Sequence, residues 1–191
     1  MNPMPDALTK TARPAPRSAP EDGFAVLDAC HRSTLTVVGA LEELVATIDR
    51  DGITPAAQVS AAAIANFLST TARAHHEDEE LHVFPALLGS ADAELVQTVL
   101  RLQQDHGWLE EDWLELEPHV QAIATGYGCC DLDTLRLGTT VFAALYRDHI
   151  DLEESIAYPQ ARAQISPAVR QEMGREMAAR RRAAARSTAG R

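Results

Sequence analysis

Apolar residues recur along most of this chain at steps of three, four or seven, the spacing that gathers them on one face of an α-helix. In the first such stretch, residues 21–50, the stripe is Phe24, Leu27, His31, Leu35, Val38, Leu41, Leu44 and Ile48, and Asp51-Gly52 stops it. The second opens at Thr54-Pro55, an N-cap followed by proline at the first helical position. It runs through Ile64, Leu68, Thr71, His75 and Glu79 toward Pro85. The third starts at Ser90 or Asp92 and carries Val99, Leu102, His106, Leu109 and Trp113, with Pro118 at or near its end. A looser stretch through Gly126-Tyr127-Gly128-Cys129-Cys130 leads to the fourth. That one opens at Asp131 or Asp133 and continues through Leu135, Val141, Phe142, Leu145, His149 and Glu153 toward Pro159. Ser166-Pro167 begins a fifth, shorter helix, and nothing alternates with the period of a strand. The pattern predicts an all-α fold, an up-down four-helix bundle with a short fifth C-terminal helix.

Each long stripe contains one histidine among its apolar residues: His31, His75, His106 and His149. The helices form an internal repeat, with 44 residues from His31 to His75 and 43 from His106 to His149. The second helix of each half carries one frame: His, three residues, Glu-Glu, three residues, aromatic, Pro. The copies are His75…Glu79-Glu80…Phe84-Pro85 and His149…Glu153-Glu154…Tyr158-Pro159. Residues four apart lie above one another on a helix, so His75 with Glu79 and His149 with Glu153 each form a two-point clamp about 5.4 Å long.

An ionised carboxylate in a core is costly unless a cation compensates it. Four imidazoles and two carboxylates suit a pair of first-row transition metals, and a single divalent ion would leave ligands idle. His76 and His119 are expected at the solvated rim. His82, matched in the repeat by Ile156, is expected in the core or behind the ligands. Trp113 reads as core packing, and Tyr146 lies off the His149 face and is given no role. Gly107 costs its helix about 1 kcal/mol, which points to close helix approach or to room beside a metal.

Charge narrows the partners. The formal net charge is −11, but residues 21–159 hold 25 acids against 6 arginines, while residues 160–191 hold 8 arginines against 2 acids. Such an acidic body would repel nucleic-acid phosphates. No apolar run reaches the roughly 18 residues of a membrane span, and the first 20 residues, rich in Pro, Ala and Arg, read as a disordered arm without a secretory h-region. Three cysteines without metal-type spacing (Cys30, Cys129, Cys130) read as thiols in a reducing cytoplasm. The expected organisation is an arm over 1–20, a metal-holding bundle over 21–160, and a basic helix and tail over 161–191.

The pattern H, HxxxE, H, HxxxE, carried by His31, His75-Glu79, His106 and His149-Glu153, resembles the hemerythrin-like (HHE cation-binding) family over roughly residues 22–160. The resemblance implies a non-haem di-iron centre with carboxylate and oxo bridges. Its two Fe ions would be held by His31, His75, Glu79, His106, His149 and Glu153, with Glu79 and Glu153 bridging. Two departures stand out. Oxygen-carrying members place a second histidine four residues after the third-helix histidine, and here that residue is Glu110, either a further metal ligand or an acid behind the ligands. They also set the last carboxylate five residues after its histidine, which keeps Glu154 open beside Glu153. A site richer in carboxylate favours the ferric state, so turnover with O2, peroxide or nitric oxide is expected ahead of stable oxygen carriage. Whether it is an enzyme is left open, with peroxidase-like, catalase-like or nitric-oxide-handling activity as the forms it would take.

The alternative function is an iron- or oxygen-responsive module that signals through a partner, with the basic fifth helix as its handle. A ferritin-like carboxylate oxidase needs two Glu-x-x-His motifs on separate helices, and only Glu79-x-x-His82 is present. A structural zinc site is a poor match for six ligands without cysteine.

Overall fold

The computed structural model describes residues 22–127 and 131–189, so the N-terminal arm and Cys129 and Cys130 lie outside the described residues. Helix α1 is Gly23–Asp51. Helix α2, Pro55–Asn66, passes through a π-helical segment, Phe67–Ala72, into α3, Arg73–His82, which is followed by the short α4, Phe84–Leu88. Helix α5 is Ala93–Ala124. Helix α6, Leu132–Leu152, passes through a second π segment, Glu153–Ala157, into α7, Tyr158–Gln164, and α8 is Pro167–Ala189. Helix α1 packs on α2 and α6, and so does α5. Rods that follow one another in the chain are therefore neighbours in space, as in an up-down bundle. No strand occurs among the described residues.

The helix starts follow capping chemistry. Asp22 accepts from Phe24 N at 3.0 Å, Thr54 from Ala57 N at 3.1 Å, Asp92 from Glu94 N at 3.0 Å and Asp131 from Thr134 N at 3.1 Å. Each bond satisfies an amide that has no partner inside its helix. Gly52 ends α1 at φ 74°, a left-handed conformation open to glycine.

Three expectations need correction. Pro118 does not end its helix: α5 continues to Ala124 because Leu116, Val120 and Ile123 extend the buried stripe beyond it. The carbonyl that Pro118 leaves without an N–H is that of exposed Leu114, which water can reach. Leu35 and Val141, counted in the apolar stripes, are exposed. Helix α8 is 23 residues long and docks on the bundle. Its Met173 and Met177 are buried beside Phe24, Leu27 and Val83, while Arg180 and Arg181 both reach Asp78 on α3.

The core is divided along every rod. One apolar cluster contains Val38 to Ile48 of α1, the α2 residues, Leu109 to Ile123 of α5 and Leu135 to Ile150 of α6. The other contains Phe24, Leu27, Val83, Phe84, Leu95, Leu102, Tyr158 and the α8 methionines. Between them, on all four rods, stand His31, His75 with Glu79, His106, and His149 with Glu153. A polar layer this deep needs compensation from within.

Candidate metal centre

Six of the seven residues singled out from the sequence meet in this layer. His31, His75, Glu79, His106, His149 and Glu153 are all buried. Their donor atoms form two groups, His31, His75, Glu79 and Glu153 in one, and Glu79, His106, His149 and Glu153 in the other. Both carboxylates belong to both groups. Nε2 of His31 lies 3.1 Å from Glu153 and 3.7 Å from Glu79, and Nε2 of His75 lies 3.3 Å from Glu79. On the other side Nε2 of His106 lies 3.4 Å from Glu79 and 4.0 Å from Glu153, and Nε2 of His149 lies 3.3 Å from Glu153.

These atoms are close without being satisfied. Both ring nitrogens of His75 and of His149, Nε2 of His106, Oε2 of Glu79 and both oxygens of Glu153 have no hydrogen-bond partner and no solvent access. Buried polar atoms are seldom left so. Cations accepting lone pairs from the Nε2 atoms and the carboxylate oxygens would remove most of that penalty, and the imidazole and carboxylate donor set suits iron or manganese.

The second glutamate of each Glu-Glu pair has a separate task. Glu154 accepts from Nδ1 of His31 at 3.0 Å and Glu80 accepts from Nδ1 of His106 at 3.1 Å. Each bond fixes a ring by the nitrogen facing away from the cluster and leaves Nε2 to coordinate. The two halves exchange these contacts, so the Glu-Glu of each half serves the other half's first histidine. The aromatic-Pro pairs do likewise. Tyr158 stacks on His31 at 5.1 Å and Phe84 on His106 at 5.4 Å between ring centroids. Of the two glutamates left open by spacing, Glu153 is in the layer and Glu154 is half exposed behind His31.

Tyr158, quoted in the repeat without a role, donates its buried hydroxyl to Glu79 and lies 3.1 Å from Nε2 of His31. Asp105, unnoticed in the sequence, is buried 3.7 Å from Nδ1 of His149. The corresponding position in the first half is Cys30, a buried thiol whose pKa burial pushes up to about 11.

Electrostatics hold the layer charged. Burial opposes a charge on His31, but Glu153 and Glu79 outweigh it and raise its pKa to about 10. His149 is raised to about 10 in the same way, by Glu153 first and then by Asp105. Burial likewise opposes ionised Glu79, and the imidazoles of His75, His106 and His31 hold its pKa well below the usual carboxylate range. His75 itself is lowered to about 4 by burial, so near neutral pH the other two supply that attraction.

Four residues depart from expectation. Glu110 is outside the layer: half exposed, it pairs with Arg73 at 2.6 Å. One turn beyond His106 on a bundle helix is the edge of the inward face, and a surface arginine is available there. His82 is neither core nor behind a ligand, but bonds Glu176 of α8 at 2.8 Å. His76 is no solvated rim residue. Its ring stacks on His106 at 4.1 Å, its Nε2 is closed to solvent, and burial pushes its pKa well below the ordinary histidine value. Tyr146 is buried beside it, 5.9 Å between ring centroids. His119 stays at the periphery, accepting from Asp131 N at 3.3 Å.

A cavity of about 550 Å³ leads to one side of the layer, between α3 and α5. His76, His106, Gly107, Glu110 and Trp113 are among its walls. A Cβ placed on Gly107 would meet nothing within 4 Å, so this glycine borders open space rather than a close helix crossing.

Two histidine clusters sharing two carboxylates, sealed in the middle of a helical bundle, define a metal-binding bundle protein. Residues 22–161 match the hemerythrin HHE cation-binding domain, and the chain belongs to this family. It is also 29% identical over 156 residues to an uncharacterized protein of Haemophilus influenzae, an alignment covering 82% of this chain and 88% of that protein. No helix among the described residues is long and apolar enough to cross a membrane.

Proposed function

We propose that this chain is a non-haem di-iron protein that binds or reacts with O2, peroxide or nitric oxide. The observation that carries this reading is the sharing of Glu79 and Glu153 between the two clusters. Two separate mononuclear sites would not need common carboxylates, whereas a bridged pair does. His31 and His75 would hold one ion, His106 and His149 the other, and Glu79 and Glu153 would bridge. When bound, the iron pair supplies the electrons and the open coordination position for a small diatomic or peroxidic ligand.

The chain's own residues do the rest. The two apolar clusters keep bulk water from the layer and strengthen every charge interaction within it. Glu154 and Glu80 orient the rings of His31 and His106. Tyr158 keeps its proton, because burial raises its pKa well above the ordinary tyrosine value. That proton sits on the bond to Glu79, where it balances carboxylate charge. The cavity beside His76 and His106 is the path by which a small ligand reaches the layer.

Reduction of the iron-loaded protein and re-exposure to each ligand in turn tests the reading. Optical change with O2, peroxide or nitric oxide at a rate well above that of free iron supports it; inertness to all three overturns it. A second reading, a sensing module, is favoured by one contact. Asp78, next to Glu79, holds Arg180 and Arg181 of α8. A sensor would change the hydrogen-exchange protection of α8 on metal loading or oxidation, and a scavenger would not.

A further inference from the structure

We propose that His76 is a third imidazole ligand of the second metal position, beside His106 and His149; this rests on the di-metal reading above. The donor atoms of His76, His106 and His149 lie within 4.8 Å of one another. Nε2 of His76 is closed to solvent and has no hydrogen-bond partner. Its ring is held over the second position by stacking on His106, 4.1 Å away, and by an edge contact with His149 at 5.7 Å.

The repeat makes the residue anomalous. The frame that pairs His75 with His149 pairs His76 with Ile150, an apolar residue buried in the core. Packing alone therefore asks for a hydrocarbon at this place. A histidine with a buried, unpaired nitrogen loses stability there unless something accepts its lone pair. The two positions also differ in what else surrounds them. Tyr158 brings a hydroxyl to within 3.1 Å of His31 at the first. At the second the matching aromatic is Phe84, which has no polar atom. The acids of helix α5 near this position face elsewhere, Glu110 to Arg73 and Asp105 to Nδ1 of His149, the ring nitrogen opposite the one that meets Glu153. His76 is the remaining nitrogen that can complete the second position, and it stands at the cavity wall, where the ligand enters.

Anaerobic titration with Co(II), followed by d–d absorption and by metal retained after desalting, separates the outcomes without any turnover. The proteins are wild type, His76→Ala and His76→Ile, the last supplying the residue that the repeat places in the core. Wild type is expected to take two equivalents. Both variants should keep the first and hold the second at least about tenfold more weakly, with the bands of the second equivalent changed. Added imidazole should restore the second equivalent in His76→Ala. Two equivalents at wild-type affinity and with wild-type bands in His76→Ile would overturn the proposal and leave His76 as packing. A wild type that takes fewer than two equivalents would instead sink the di-metal reading.

Discussion

Tyr158, from the second half of the chain, donates its buried hydroxyl to Glu79 of the first half. The bond ties the aromatic-Pro element of one repeat to the shared carboxylate of the other. Tyr158→Phe keeps the ring on His31 and removes only the hydroxyl. The variant should fold, still take up two metals and react with peroxide or O2 about ten- to a hundredfold more slowly. Stopped-flow absorption of the reduced protein checks it; an unchanged rate would mean the proton is incidental.

The Glu-Glu pairs predict a sharp contrast between neighbours. Glu153 belongs to both clusters, so Glu153→Gln should lower metal content at both positions. Glu154 stands behind the layer, bonded to Nδ1 of His31. Glu154→Gln should keep two metals and weaken the first by about tenfold. Metal analysis of both variants after dialysis distinguishes bridge from orienting group, and equal losses would refute the division of labour.

Metal uptake should release protons. His31 and His149 have pKa values raised to about 10, so both are protonated at pH 7, where an unperturbed histidine would be mostly neutral. A cation must displace both protons, and its apparent affinity should rise with pH up to about 10 and fall as pH drops. Calorimetry at pH 7 in buffers of different ionisation enthalpy should find at least two protons released per loaded chain, because burial opposes a charge on His106 but Glu79 and Glu80 raise its pKa as well. No release would contradict the charge state derived for the layer.

Spacing exposed the four stripes and the two His-x-x-x-Glu clamps, and cap chemistry gave Thr54 while leaving Ser90 or Asp92 and Asp131 or Asp133 as the other starts, because each signal is local to one helix. What it could not show depends on which rods touch. The hydrogen bonds of Glu154 to His31 and Glu80 to His106 cross between halves. So do Tyr158 to Glu79 and the stack of His76 on His106. The repeat held an unread signal at His76, since its counterpart Ile150 is apolar. The π segments, one before His75 and one containing Glu153, take up an extra residue per turn and re-aim the faces beyond them. A strict helical period therefore drifts past these segments; Leu35 and Val141 lie ahead of them on α1 and α6, where the adjacent Thr34 and Phe142 take the buried positions instead.

Docking of α8 can be broken at a single position. A Cβ on Gly23 would fall 2.7 Å from Cβ of Met173 and 3.1 Å from the Arg170 carbonyl oxygen. Neither is the free end of a side chain, so Gly23→Ala should push α8 off α1 at a cost of about 1–3 kcal/mol. Hydrogen exchange should show protection lost across residues 167–184 while α5 keeps its own. Retained protection would mean the helices can separate slightly without penalty.

Iron stoichiometry with Mössbauer spectroscopy, on protein loaded with enriched iron and oxidised, tests the central claim most directly. The account predicts two ferric ions per chain, spin-coupled to a diamagnetic ground state, with both lost in Glu153→Gln. One ion per chain, or two that behave as magnetically independent centres, would contradict a pair joined through Glu79 and Glu153.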